Sequence, residues 1–211
     1  MDRIRGGESI VVPGARDVRG TIDGPDDPDA LVVACPPYPK EGGSRTDARL
    51  RAVGDALATR DVGCLRFDYG PWDEGYGECE DVRNALRWAA ARVETVGCFG
   101  FSFGGAEAIL AAASVDVDVA CVSALAPTAS LGDDLEVPSA IDDLDGGVAL
   151  QVVYGTRDDV ADWEPVVEAA RRRDAAGRRD TEVVEWSADH FFVGQEERVA
   201  ADVADFLAEH A

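Results

Sequence analysis

Gly100-Phe101-Ser102-Phe103-Gly104 follows the short apolar run Val96-Gly97-Cys98-Phe99. It precedes Gly105-Ala106-Glu107-Ala108-Ile109-Leu110-Ala111-Ala112-Ala113. A serine thus stands between glycines at i−2 and i+2, where a strand-like run gives way to a helical one. This is the G-x-S-x-G pattern of a nucleophile elbow, in the strand–turn–helix context the pattern requires. The turn is so sharp that a Cβ at either glycine would collide with neighbouring backbone. It lifts the serine hydroxyl clear of the sheet and leaves the N–H of Phe103 free for a developing oxyanion. A glycine-padded turn that only packs a helix close to a strand would show the same five residues. What separates the two readings is whether the rest of the chain supplies partners for Ser102.

A serine hydroxyl is a weak nucleophile until a base takes its proton. The chain has two histidines. His210 is the penultimate residue, where chain ends fray. His190 lies in Ser187-Ala188-Asp189-His190-Phe191-Phe192, just past the last strand-like run, so elimination makes His190 the base. An acid must hold the imidazole in one tautomer and stabilise its cation. After Ala149-Leu150-Gln151-Val152-Val153-Tyr154 comes Gly155-Thr156-Arg157-Asp158-Asp159. A carboxylate three residues past a strand-ending glycine falls at the carboxyl edge of the sheet, which carries the site in open α/β sheets. Asp158 is the expected acid and Asp159 its rival. A second oxyanion donor is expected from Cys35-Pro36-Pro37-Tyr38-Pro39. Proline has no N–H, so Tyr38 is the first residue beyond the strand able to donate. Tyr38 and Phe103 are therefore the expected oxyanion donors.

The surrounding pattern gives the architecture. Ile10–Val12 and Val18–Ile22 form an N-terminal hairpin around Pro13-Gly14. Strands are expected at Ala30–Cys35, Gly63–Phe67, Val96–Phe99, Val117–Leu125, Ala149–Tyr154 and Glu182–Trp186. Helices are expected at Ala48–Arg60, Asp81–Arg92, after Ser102, at Trp163–Arg173 and at Gln195–Glu209. Strands alternating with helices imply an α/β fold, a mainly parallel sheet covered on both faces. The hairpin supplies an antiparallel edge. Residues 1–211 read as one domain, with Asp23–Asp29 and Thr128–Gly147 as loops inside it.

Composition narrows the function. With 46% apolar residues the chain can bury a large core, and no apolar run is long enough to span a membrane. The N-terminal residues lack the apolar centre of a signal peptide, so a cytoplasmic location is expected. The net charge is −22, from 42 acidic and 20 basic residues, and only Lys40 among the latter is lysine. Such charge disfavours nucleic acid. Spread along the whole chain, it resembles the halophilic composition of proteins that work in molar salt, where self-repulsion is screened. An odd number of cysteines in a cytosolic chain argues for thiols, with Cys35, Cys64, Cys98 and Cys121 as small core residues. No metal is expected.

Together these residues resemble the α/β-hydrolase fold, and more narrowly the small dienelactone-hydrolase-like serine hydrolases. Cys35 to Gly43 is similar to that group's C-H-P-H-P-x-x-G-G segment, with Pro36 and Tyr38 in place of the two histidines. Leu65-Arg66-Phe67-Asp68-Tyr69-Gly70, with Gly75-Tyr76-Gly77-Glu78, is similar to its R-F-N-F-R-G…G-x-G-E run. The elbow, Asp158 and His190-Phe191-Phe192 match its remaining segments. Dienelactone hydrolase itself uses a cysteine where Ser102 stands. The resemblance implies cleavage of a carboxylic ester, thioester or lactone through an acyl-enzyme on Ser102, with a small-molecule acyl substrate and no cofactor. Many relatives insert a helical cap before the acid; Thr128–Gly147 is too short for a multi-helix lid, so an open site is expected. Tyr69, Trp72 and Phe191 are candidate substrate contacts beside Tyr38 and Phe103. The oligomeric state is not legible. A non-catalytic binding protein and an acyltransferase are the competing functions.

Overall fold

Eight strands form one sheet in the computed structural model, which describes residues 3–178 and 180–211. They are β1 (Ser9–Val12), β2 (Val18–Asp23), β3 (Ala30–Cys35), β4 (Gly63–Asp68), β5 (Thr95–Phe101), β6 (Cys121–Leu125), β7 (Ala149–Gly155) and β8 (Thr181–Trp186). Their order across the sheet is β1-β2-β4-β3-β5-β6-β7-β8. β1 pairs with β2 and β2 with β4 antiparallel; every other pairing is parallel. The N-terminal hairpin is therefore the antiparallel edge of an otherwise parallel sheet.

The central strands read as unbroken apolar runs because both faces are covered. In β3, Leu31, Val33 and Cys35 enter one core while Val32 and Ala34 enter the other. The first core lies under α2 (Tyr76–Ala90), α3 (Phe103–Ala112), α4 (Val137–Asp143) and α5 (Glu164–Ala175). The second lies under α1 (Ala48–Ala58) and α6 (Glu196–His210). Each helix turns its apolar stripe inward: Val82, Ala85, Leu86 and Ala89 from α2, and Val199, Val203, Phe206 and Leu207 from α6. Truncating a fully buried member such as Leu150 to alanine removes its burial and leaves a cavity, at a cost of about 2–5 kcal/mol.

Beyond shifts of one or two residues at element ends, three strands or α-helices differ from the sequence expectation. β6 begins at Cys121, not Val117, because pairing starts only where Cys121 stands opposite both Gly97 and Ala149. α2 begins at Tyr76, five residues earlier than expected. The Glu78 carboxylate reaches back to the Gly75 N–H at 2.9 Å and so caps the first turn. Thr128–Gly147, expected as a loop, contains α4, whose Val137, Ala140 and Ile141 are buried, with Leu144 just beyond its end.

Candidate active site

The bend after β5 is set by close packing. A Cβ on Gly100 would land on the Gly104 carbonyl, and one on Gly104 would land on the Cys35 and Pro36 carbonyls. Only glycine lets α3 start so near β5 and the end of β3. Ser102 is held at φ 56° and ψ −121°, a region that costs a non-glycine residue about 1–3 kcal/mol. Its N–H donates to the Leu125 carbonyl at 2.8 Å, and its own carbonyl accepts from Gly105 at 2.9 Å. These bonds fix the strained residue between β6 and the first turn of α3.

The Ser102 hydroxyl lies 2.9 Å from His190 Nε2, and His190 Nδ1 lies 2.7 Å from Asp158 Oδ2. Three residues from three separate loops thus make one hydrogen-bonded chain. The side chains of His190 and Asp158 are 4% and 0% exposed, so water does not compete for their bond. Asp159 is exposed and stands outside the chain. The acid loop is tied to the base loop by backbone: Thr156 N–H donates to Trp186 at 2.8 Å and Arg157 N–H to Ala188 at 2.9 Å. Asp158 Oδ1 accepts the N–H groups of Val160 and Ala161 at 2.9 and 3.0 Å, so the same carboxylate shapes its own turn. Beneath the imidazole the Phe101 ring packs at 5.2 Å between centroids.

Ser102 opens into a cleft of about 490 Å³ lined on one wall by Tyr38, Trp72 and Phe103 and on the other by Val160, Ala161 and Phe191. Tyr38 meets the edge of Trp72 at 5.2 Å and the Phe103 ring at 5.5 Å. Among the described residues, neither the Tyr38 nor the Phe103 backbone N–H donates to another protein oxygen. Both are available for an oxygen bound beside Ser102. Trp72 rides on the loop between β4 and α2, which two buried carboxylates fasten from below. Glu78 accepts the Asp73 N–H at 3.0 Å and Asp81 accepts the Gly70 N–H at 2.9 Å.

The structure brings Ser102, His190, Tyr38, Phe103, Trp72 and Phe191 to this cleft, with Asp158 buried behind His190, and leaves Tyr69 out of its lining. Tyr69 packs behind Phe103 at 5.8 Å and donates its hydroxyl to the Pro36 carbonyl at 3.2 Å. It is a buttress for the wall, since burial favours a side chain whose hydroxyl has a partner. Several lining residues lie outside the sequence reading, among them Val160, Ala161, Leu131 and Arg49. Leu131 comes from the turn before α4. Arg49 comes from the first turn of α1 and lays its guanidinium 4.3 Å from the Phe101 ring centroid and 5.8 Å from that of Phe191. Nothing local in Ala48–Ala58 marks Arg49 as a lining residue: its carboxylate partner, Asp47, is a neighbour in the chain, but the rings it covers lie more than fifty residues away.

The sheet order, the strand–turn–helix bend at Ser102 and the loop-borne histidine after the last strand define the α/β-hydrolase fold. Solved structures similar to this chain share it. An α/β serine hydrolase homologue from Coxiella burnetii superposes with a TM-score of 0.78 at 22% identity, covering 97% of this chain and 99% of that one. A lid-less α/β serine hydrolase from Xanthomonas campestris gives 0.77 at 20% identity, over 97% and 94% of the two chains. An esterase from Pyrococcus furiosus gives 0.79 at 18% identity, over 96% and 90%. At these identities the likeness establishes the fold. No protein-family model and no curated protein sequence matches the chain.

Proposed function

We propose that the protein is a serine hydrolase that cleaves a carboxylic ester, thioester or lactone through an acyl-enzyme on Ser102. The observation that carries this reading is the unbroken Ser102–His190–Asp158 chain at 2.9 and 2.7 Å, opening on a cleft. A protein that only bound ligand would have no use for a strained serine in line with a buried imidazole–carboxylate pair. His190 takes the Ser102 proton as Oγ attacks the carbonyl carbon, and Asp158 stabilises the imidazolium. The Tyr38 and Phe103 N–H groups hold the oxyanion. His190 then protonates the leaving oxygen, and water repeats the sequence on the acyl-enzyme. The chemistry needs no metal and no organic cofactor. The similar solved structures described as serine hydrolases and an esterase support the reading, and the motifs around Cys35–Gly43 and Leu65–Glu78 favour the small dienelactone-hydrolase-like group.

The dispersed charge of −22 supports a working environment of molar salt, and the enzyme is to be assayed there. A fluorophosphonate probe in molar KCl should label the wild type and leave Ser102→Ala unlabelled. An unlabelled wild type that is folded would overturn the hydrolase reading.

A further inference from the structure

Resting on that reading, the cleft also carries information about the alcohol half of the substrate. Five large apolar side chains are exposed among the described residues: Val11, Tyr76, Val160, Phe191 and Val193. Three of them, Val160, Phe191 and Val193, stand on the two loops that carry Asp158 and His190. They are not loose tips. Asp158 Oδ1 fixes the Val160 N–H, and Asp189 Oδ1 accepts the N–H groups of Phe191 and Val193 at 3.1 and 3.3 Å. Phe191 meets the His190 ring edge-on at 5.0 Å and is 48% exposed. An apolar surface held rigid and left uncovered beside a reactive group marks a ligand contact.

Geometry says which half of the ester lies there. In the tetrahedral adduct the oxyanion faces the Tyr38 and Phe103 N–H groups, while the oxygen that departs must face His190 Nε2 to be protonated. The leaving group therefore extends along the wall of His190, Phe191 and Val160. Charge says that it is neutral. The cation on this side, Arg49, is engaged: its Nε donates to Asp47 Oδ1 at 3.0 Å, a second guanidinium N–H donates to Asp47 Oδ2, and its flat face covers Phe101. Glu41 adds a further negative charge to the lining. Among the described residues Arg49 is the one cation lining the cleft, so a carboxylate on this wall would find no unengaged partner; the Lys40 ammonium stands over Trp72 on the opposite wall, 5.4 Å from its ring.

We infer that the alcohol half of the substrate is a neutral, apolar, aryl-sized group stacked on Phe191 against Val160. In the acylation step the Ser102 Oγ–carbonyl carbon bond forms and the carbon–alkoxy bond breaks. The Oγ proton passes through His190 to the alkoxy oxygen, releasing a neutral aryl-bearing alcohol.

The test compares kcat/KM for benzyl acetate, ethyl acetate and the acetate of 4-(hydroxymethyl)benzoate in molar KCl. The three share an acyl group, and their alcohols are close in acidity. The wild type should favour benzyl over ethyl acetate about tenfold and should disfavour the anionic ester. Phe191→Ala should bring the benzyl-to-ethyl ratio near one, with Phe191→Leu intermediate. Val11→Ala, an exposed apolar residue on the distant β1 edge, should leave the ratio as in the wild type. A wild-type ratio near one, preference for the anionic ester, or a ratio unmoved by Phe191→Ala would overturn the inference while the hydrolase reading stands. Absence of fluorophosphonate labelling together with no turnover of any ester would overturn both.

Discussion

Replacing Glu107 by leucine should make this protein more stable. Glu107 sits on α3 just beyond the elbow, fully buried, and neither carboxyl oxygen has an N–H or O–H donor among the described residues, the weakly donating Cys79 thiol being its neighbour. Burial first, and then the Glu78 carboxylate, push its carboxyl well above the usual carboxylate range. Glu78 and Asp81 face it from α2, with the Cys79 thiol and the more distant Arg83 charge; Arg16, the nearest loop cation, is bound to Asp81 at 2.9 Å. A buried polar group without a partner costs about 1–3 kcal/mol, and leucine fills similar space without that penalty. The expected gain is about 2 kcal/mol. For a domain of this length each kcal/mol moves the melting point by about 2–4 °C, so the shift is about 4–8 °C. The sign with pH follows from the raised pKa. The acid's contribution to stability is fully present below its unfolded value of about 4.3 and is lost as pH rises towards and through its folded value. The advantage of Glu107→Leu should therefore widen from pH 5 to pH 7.5, measured by thermal melts in molar KCl. A variant less stable than wild type at pH 7.5, or an advantage that narrows as pH rises, would refute the reasoning by showing an ionised and paired carboxylate.

The remaining predictions concern the site and the charge. Tyr38 has φ −52°, which proline tolerates, so Tyr38→Pro deletes one N–H with little change of backbone. Its kcat should fall about 10²–10³-fold below that of Tyr38→Ala, and equal rates for the two would remove Tyr38 from the oxyanion site. Asp158→Asn should lower kcat by about 10⁴-fold, as loss of the correct tautomer does elsewhere, whereas Asp159→Asn should stay within about twofold; comparable losses would undo the assignment of the acid. Raising KCl from 0.1 to about 3 M, where the Debye length falls from about 10 Å to below about 3 Å, should raise the melting temperature. A temperature independent of salt counts against the halophilic reading.

The parts of the fold legible in the sequence are those with a local cause. β3 and β7 announce themselves as apolar runs buried on both faces, and Ser102 by the two glycines its bend requires. His190 could be chosen because only one histidine stood away from the chain end. α4 was hidden by the acidic and proline residues around it, although Val137, Ala140, Ile141 and Leu144 repeat at helical spacing. The place of Tyr69 behind Phe103, outside the cleft lining, was hidden for another reason: sequence places it on the right loop but cannot tell the front of Phe103 from the back. Arg49 depends on rings contributed by β5 and by the loop after β8, a meeting that exists only once the sheet has assembled.

α4 packs down against α5 and α3 instead of folding across Ser102, and this has a consequence for turnover. An acyl group attached there would be exposed to whatever nucleophile the surrounding solution offers. The second half of the reaction then takes its water from bulk, whose activity falls as salt is concentrated. On the halophilic reading proposed above, the brine that would steady so acidic a surface would also thin the supply of the co-substrate that frees the enzyme for its next cycle.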